Sequence, residues 1–153
     1  MDGLEAAQGG ADNSHTTVIG HSYGSTVVGD ASNKGDLSAD DIVVAGSPGM
    51  MVGDADDLDV GRDHVWSEAA WNDPVPAGGK VAELGGYKWT VPTWNGIPFN
   101  AGYIQVVPSD EAFGAHRMDV DTSGHSDYWN RDSLSLKNQA FVVTGKYNRV
   151  EED

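Results

Sequence analysis

An α/β fold, with a mostly parallel sheet of about four strands and helices on its faces, is predicted by three features of the chain. A β-branched run, Thr16 to Ile19, leads through Gly20-His21-Ser22-Tyr23-Gly24 into a stretch, Ser25 to Ala31, able to open a helix. A second compact apolar run, Ile42 to Ala45, completes a β-α-β unit within about 30 residues, and such a unit takes a right-handed crossover between parallel strands. That run lacks polar alternation, which is the pattern of a strand covered on both faces.

Each remaining element has its own signal. Leu4 to Gln8 reads as a short helix, followed by the turn composition of Gly9-Gly10-Ala11-Asp12-Asn13-Ser14. Asn33-Lys34-Gly35-Asp36 is a loop, Asp40-Asp41 precede the second strand, and Gly46-Ser47-Pro48-Gly49 break it. Residues 50 to 62 read as loop or irregular helix, and His64 to Ala70 as a third strand that ends before Pro74 and Pro76. From Ala77 to Gly114 the chain is rich in Gly, Pro and aromatics without helical periodicity, so it is expected to form a lid or pocket wall. Ala115 to Asp121 is the fourth strand, and residues 122 to 127 form a loop. A last helix is expected at about Ser133 to Tyr147, with Leu134, Leu136, Ala140, Phe141 and Val143 as its apolar face. Residues 1 to 153 form one domain without internal repeats.

Composition narrows the chemistry. A chain of 153 residues buries roughly two thirds of its unfolded surface and needs no staples. With no cysteine, disulfides, thiolate metal sites and thiol nucleophiles are excluded. A formal charge of −15 repels nucleic acid and anionic membranes. No apolar run reaches the roughly 18 residues of a membrane span and no signal peptide is visible, which favours a soluble, cytoplasmic protein.

Gly20-His21-Ser22-Tyr23-Gly24 has the GxSxG pattern of a nucleophile elbow, a sharp strand-to-helix turn that throws its central residue, Ser22, clear of the sheet. Gly20 and Gly24 are expected to lack a Cβ because strand and helix approach there. In open parallel sheets, sites gather beyond the carboxyl ends of the strands. Ser22 follows the first strand, Asp73 the third and His125 the fourth: a nucleophile, an acid and a base, in that order. Asp54 and Asp57, after the second strand, are alternative acids. His15, His64 and His116 are read as surface or strand residues. Around these, His21, Met50, Met51, Trp94, Phe99, Tyr128 and Trp129 are candidates for walls of a substrate pocket or for ordinary core.

The ordered set GHSYGS, VVAGSPGM, VWSEAAWNDPVP, FGAHRMDVDTSGHSDYW and SLKNQAFVVTG resembles an actinobacterial α/β-hydrolase family of unknown substrate, from about Thr16 to the C-terminus. The resemblance implies a Ser22, Asp73, His125 triad acting on a small-molecule acyl substrate through an acyl-enzyme. By the chemistry of such an elbow the Tyr23 amide is the expected oxyanion donor, and no cofactor is expected. An α/β-hydrolase ordinarily has several strands ahead of the elbow and a second oxyanion amide from that half. Only about 15 residues precede the elbow strand here. The expected consequences are an unpaired edge on that strand and either a homodimer or a missing N-terminal partner to cover it. Two other readings stay open: a catalytically inactive module that binds through this edge, and a calcium loop at 119 to 130. That loop alternates oxygen ligands and has Gly124 sixth, but Asn130 stands where a bidentate Glu belongs.

Overall fold

Residues 2–7, 9–10, 14–35, 37–98 and 101–153 are described by the computed structural model. After the short helix α1 (Asp2–Ala7), the chain enters β1 (Thr17–His21), α2 (Tyr23–Asn33) and β2 (Asp41–Ala45), the β-α-β unit expected from the sequence. Next come β3 (Val65–Glu68), α3 (Val75–Val81) and the strands β4 (Gly86–Thr90), β5 (Thr93–Trp94), β6 (Ile97–Pro98) and β7 (Gly102–Val106). Last are β8 (His116–Arg117) and α4 (Leu134–Val143). The main sheet has the order β1-β2-β3-β8 and every pairing in it is parallel.

All five residues of β2 are buried, and its side chains divide by period two between the sheet's faces. Ile42 and Val44 join Met50, Val52, Val65 and Phe113 on one face, with Val28 of α2 packed against them. Val43 meets Trp66, Met118 and Val142 of α4 on the other. This two-sided cover explains the unbroken apolar run.

The start of β2 carries a polar knot. Asp41 is fully buried and its Oδ1 accepts from His64 Nδ1 at 3.0 Å and Trp66 Nε1 at 3.1 Å. Its Oδ2 accepts from Tyr147 Oη at 2.7 Å and lies 2.8 Å from His15 Nε2. His15 and His64 are therefore partners of a buried carboxylate, beyond the surface role read from the sequence.

Three expectations change. The segment 77–114 has regular structure: α3 continues into it, β4 pairs antiparallel with β7, and β5–β6 make a small hairpin between them. The buried side of α4 is Ser135, Asn138, Gln139 and Val142, whereas Ala140 and Val143 are exposed. Those polar side chains bury because each is bonded: Asn138 Nδ2 donates to the Asp119 and Glu151 carbonyls, its Oδ1 accepts from Glu151 N–H, and Ser135 Oγ meets Thr122 Oγ1. In the 119–130 stretch, Asp121 Oδ1 accepts from Leu134 N–H and so caps α4. Among the described residues no group of three His, Asp or Glu side chains converges as a cation site, so the calcium reading lacks a ligand set.

The outer side of β8 is lined by the chain end, where Met118 bridges Glu152 and Asp153 N–H bonds the Arg117 carbonyl. At the other edge of the sheet, β1 pairs with β2 alone among the described residues. No helix of the described residues is long and apolar enough to cross a membrane.

Candidate active site

Ser22 stands between β1 and α2 with φ 53° and ψ −132°, a conformation that non-glycine residues seldom adopt and that functional turns retain when their surroundings enforce it. The enforcement is visible. Ser22 N–H donates to the Ala45 carbonyl at the end of β2, and the Ser22 carbonyl accepts from both Ser25 N–H and Ser25 Oγ. Ser25 Oγ in turn lies 2.6 Å from Ser47 Oγ, and Thr26 Oγ1 donates to the Gly49 carbonyl. The loop after β2 thus braces the elbow helix, a job for Ser25 and Ser47 that residue type alone did not announce.

The two glycines of the motif differ. A Cβ on Gly20 would come within 2.8 Å of Ser25 Cα, so this position needs glycine. A Cβ on Gly24 would meet nothing within 4 Å, contrary to the expected collision, because Gly24 lies on the outward side of α2.

Beyond the other strand ends, His125 Nδ1 lies 2.9 Å from Asp73 Oδ2 and 3.1 Å from Oδ1. The Asp73 carboxylate also accepts from Tyr128 Oη at 2.7 Å and from Val75 N–H at 2.9 Å. Burial alone would push the Asp73 pKa up, but the bonds from Tyr128, His125 and Val75 outweigh it and leave it below the usual value. An ionised carboxylate only accepts, so His125 meets it with Nδ1–H and its Nε2 faces away from the acid. Gly46 makes room for this pair: a Cβ there would fall 2.6 Å from Asp73 Oδ2 and 2.9 Å from His125 Nδ1, and its φ is +56°.

His21 joins the elbow to this pair. Its Nε2 donates to the His125 carbonyl at 2.7 Å, its ring lies 4.6 Å from the His125 ring, and Trp129 meets it edge-on at 4.8 Å. Tyr23 is the first residue of α2, so its N–H is one of the helix's unpaired leading donors. Met50 is fully buried in the core. Met51, by contrast, is half exposed and lines a cavity of about 300 Å³ with Tyr23, Thr26, Val27 and Leu84. Trp94 sits exposed on the β5–β6 hairpin, and Phe99 lies outside the described residues. The alternative acids are engaged elsewhere or exposed: Asp54 pairs with Arg62 and Lys88, and Asp57 is at the surface.

Glu68, at the carboxyl end of β3, is fully buried beneath this region. Burial raises its pKa to about 8 despite the bond from Gln139 Nε2, with Asp121 adding to the rise, and its Oε1 has no partner among the described residues.

A parallel sheet with a strained serine at a strand-to-helix turn defines an α/β-hydrolase-like protein. The chain belongs to an alpha/beta hydrolase family, whose model matches residues 2–84 and so includes Ser22 and Asp73 but not His125. Two relatives from Mycobacterium tuberculosis are similar to it: "Uncharacterized protein Rv2079" of strain ATCC 25618 / H37Rv and "Uncharacterized protein MT2140" of strain CDC 1551 / Oshkosh. Each is 30% identical over 150 residues, covering 91% of this chain and 23% of its own length. This chain therefore spans about a quarter of the relatives it matches. No solved structure gives a significant match.

Proposed function

We propose that the protein is a serine hydrolase acting on an ester or related acyl bond through Ser22, His125 and Asp73. What supports this reading is a strained Ser22 at the strand-to-helix turn, an Asp73-bonded His125, and the bond from His21, the residue before Ser22, to the His125 carbonyl. A serine hydroxyl becomes a nucleophile when a base removes its proton. His125 Nε2 takes the Ser22 proton as Oγ attacks the acyl carbon, and the Tyr23 N–H holds the oxygen that gains charge. Collapse returns the proton from His125 to the departing alkoxide. Water, activated by the same nitrogen, then releases the acid and frees Ser22.

The mostly apolar cavity lined by Tyr23, Thr26, Val27, Asp30, Met51 and Leu84 is the proposed seat of the acyl group, and the edge-on pair of His21 and Trp129 is proposed to flank the site. Leu84 stands in the turn between α3 and β4, and its place in this cavity supports reading the start of the 77–114 segment as pocket wall. The test is hydrolysis of p-nitrophenyl esters of increasing acyl length. Wild type is expected to show a chain-length optimum and Ser22→Ala to lose turnover; equal rates in the two would end the reading.

One observation favours a second reading, a binding module that uses its sheet edge: among the described residues β1 pairs on one side only. In that case the N–H and C=O groups of Thr17 to His21 that point away from β2 take a strand from a second copy or from a further polypeptide segment. Light scattering tests the copy: a dimeric mass supports self-pairing, and a strictly monomeric mass with cooperative unfolding argues against it.

A further inference from the structure

Of the candidate catalytic groups, Asp73 is the most completely held, and one of its partners is a tyrosine that the hydrolase reading leaves unused. Tyr128 is fully buried and is the largest such side chain in the molecule's described part. Its hydroxyl donates to Asp73 Oδ2 at 2.7 Å and accepts from Ala70 N–H at 3.0 Å. A phenol has one proton to give, so with the donor and an acceptor direction both engaged its orientation is settled. The tyrosine is anchored from behind as well. Gln139 Nε2 of α4 bonds the Tyr128 carbonyl at 3.2 Å and the Glu68 carboxyl at 2.8 Å, tying the turn at 127–129 to both α4 and β3. The ring packs with Ala45, Ala70 and Val120, an apolar setting that phenylalanine would fill equally well. The hydroxyl is therefore what needs explaining.

We propose that Tyr128 is a positioning residue: its hydroxyl fixes the Asp73 carboxylate in the orientation that receives His125 Nδ1–H, and so sets the tautomer and aim of the imidazole. This role presupposes the Ser22, His125, Asp73 reading for its effect on turnover, but not for its effect on His125 itself. The geometry supports it from both sides of the carboxylate. Val75 N–H holds Oδ1, Tyr128 holds Oδ2, and the imidazole Nδ1 lies within 3.1 Å of both oxygens. Removing the hydroxyl leaves Oδ2 held by His125 alone, so the carboxylate loses the contact that fixes it from the protein side, and Ala70 N–H loses its acceptor. Burial, and then the neighbouring Asp73 charge, raise the phenol pKa far above its usual value, so the donor persists throughout the working range.

The experiment compares wild type, Tyr128→Phe, Asp73→Asn and the double variant. With a p-nitrophenyl ester, Tyr128→Phe is expected to lower kcat by about ten- to a hundredfold at unchanged KM, the range for a hydrogen bond to a charged group. In the Asp73→Asn background the same change is expected to cost less than about twofold, because the group through which it acts is gone. An equal loss in both backgrounds would overturn the proposal. Ring-nitrogen NMR reads the same point without turnover: His125 is expected as the Nδ1–H tautomer in wild type and as a tautomer mixture in Tyr128→Phe. Unchanged His125 shifts in a folded Tyr128→Phe protein overturn the positioning role. The expected NMR change in a protein that hydrolyses no ester supports the positioning role and overturns the hydrolase reading instead. Should Tyr128→Phe fail to fold, the wild-type phenol proton decides. A slowly exchanging resonance that moves in Asp73→Asn supports the role, and a resonance indifferent to Asp73→Asn overturns it.

Discussion

Replacing Glu68 with glutamine should stabilise the protein at alkaline pH and do little at acid pH. The carboxyl is fully buried, its Oε1 has no partner among the described residues, and its pKa lies at about 8 against an ordinary value of 4.5. Between those two values the unfolded chain releases a proton that the folded chain retains. The folded state binds more protons there, so stability falls as pH rises through the window. Each unit of that window costs about 1.4 kcal/mol, which makes the folded form roughly 4 kcal/mol less favoured at pH 8 than at pH 4 on account of Glu68 alone. Glutamine has the same shape, keeps an oxygen for Gln139 Nε2 and has no proton to lose. The advantage of Glu68→Gln over wild type should therefore grow by several kcal/mol across this range, on the order of 10 °C in melting temperature for a domain of this size. Other acids are common to both proteins and cancel in the difference. Parallel thermal melts at pH 4, 5, 6, 7 and 8 make the measurement. A difference that stays constant with pH would mean that Glu68 ionises in the folded state as readily as in the unfolded chain, contrary to this expectation.

Other expectations concern backbone contacts. Gly20→Ala should destabilise by about 1–3 kcal/mol through the contact of its Cβ with Ser25 Cα, whereas Gly24→Ala should be neutral or stabilise by up to about 1 kcal/mol; denaturant melts of the two variants check the contrast. Gly46→Ala drives a methyl into both Asp73 and His125 at a positive φ, and should cost about 1–3 kcal/mol and most of the ester turnover. Retained activity in Gly46→Ala would show that the pair tolerates displacement. Asp41→Ala leaves His15, His64, Trp66 and Tyr147 without their shared acceptor and should lower the melting temperature sharply, by about 3 kcal/mol or more in stability, in a calorimetric scan.

The β-α-β unit was legible because its signals are local. The β-branched run, the GxSxG turn and the apolar Ile42 to Ala45 each report their own conformation, and strand ends then offered Asp73 and His125 as candidates. What escaped depends on distant partners. Pro76 reads as a terminator, yet proline is welcome in the first turn of a helix, and α3 starts there. The β4–β7 arm exposes Tyr87, Trp89 and Tyr103, so its strands show no apolar-in, polar-out code and declare themselves only by pairing. The inward face of α4 was misread because Asn138 and Gln139 bury through hydrogen bonds to residues 19 and 71 positions away, which no period reveals. Glu68 did leave a trace, as a charged residue inside an apolar strand. Tyr128 did not, since an aromatic three residues after His125 reads equally as core or pocket.

On the proposed reading Ser22 is an activated nucleophile in an assembled site. Labelling with a fluorophosphonate probe, read by intact mass on wild type beside Ser22→Ala, tests it most directly. The expected result is one phosphonyl adduct on wild type, absent from Ser22→Ala. Folded wild-type protein that takes up no adduct, or a Ser22→Ala variant labelled to the same extent, would contradict it.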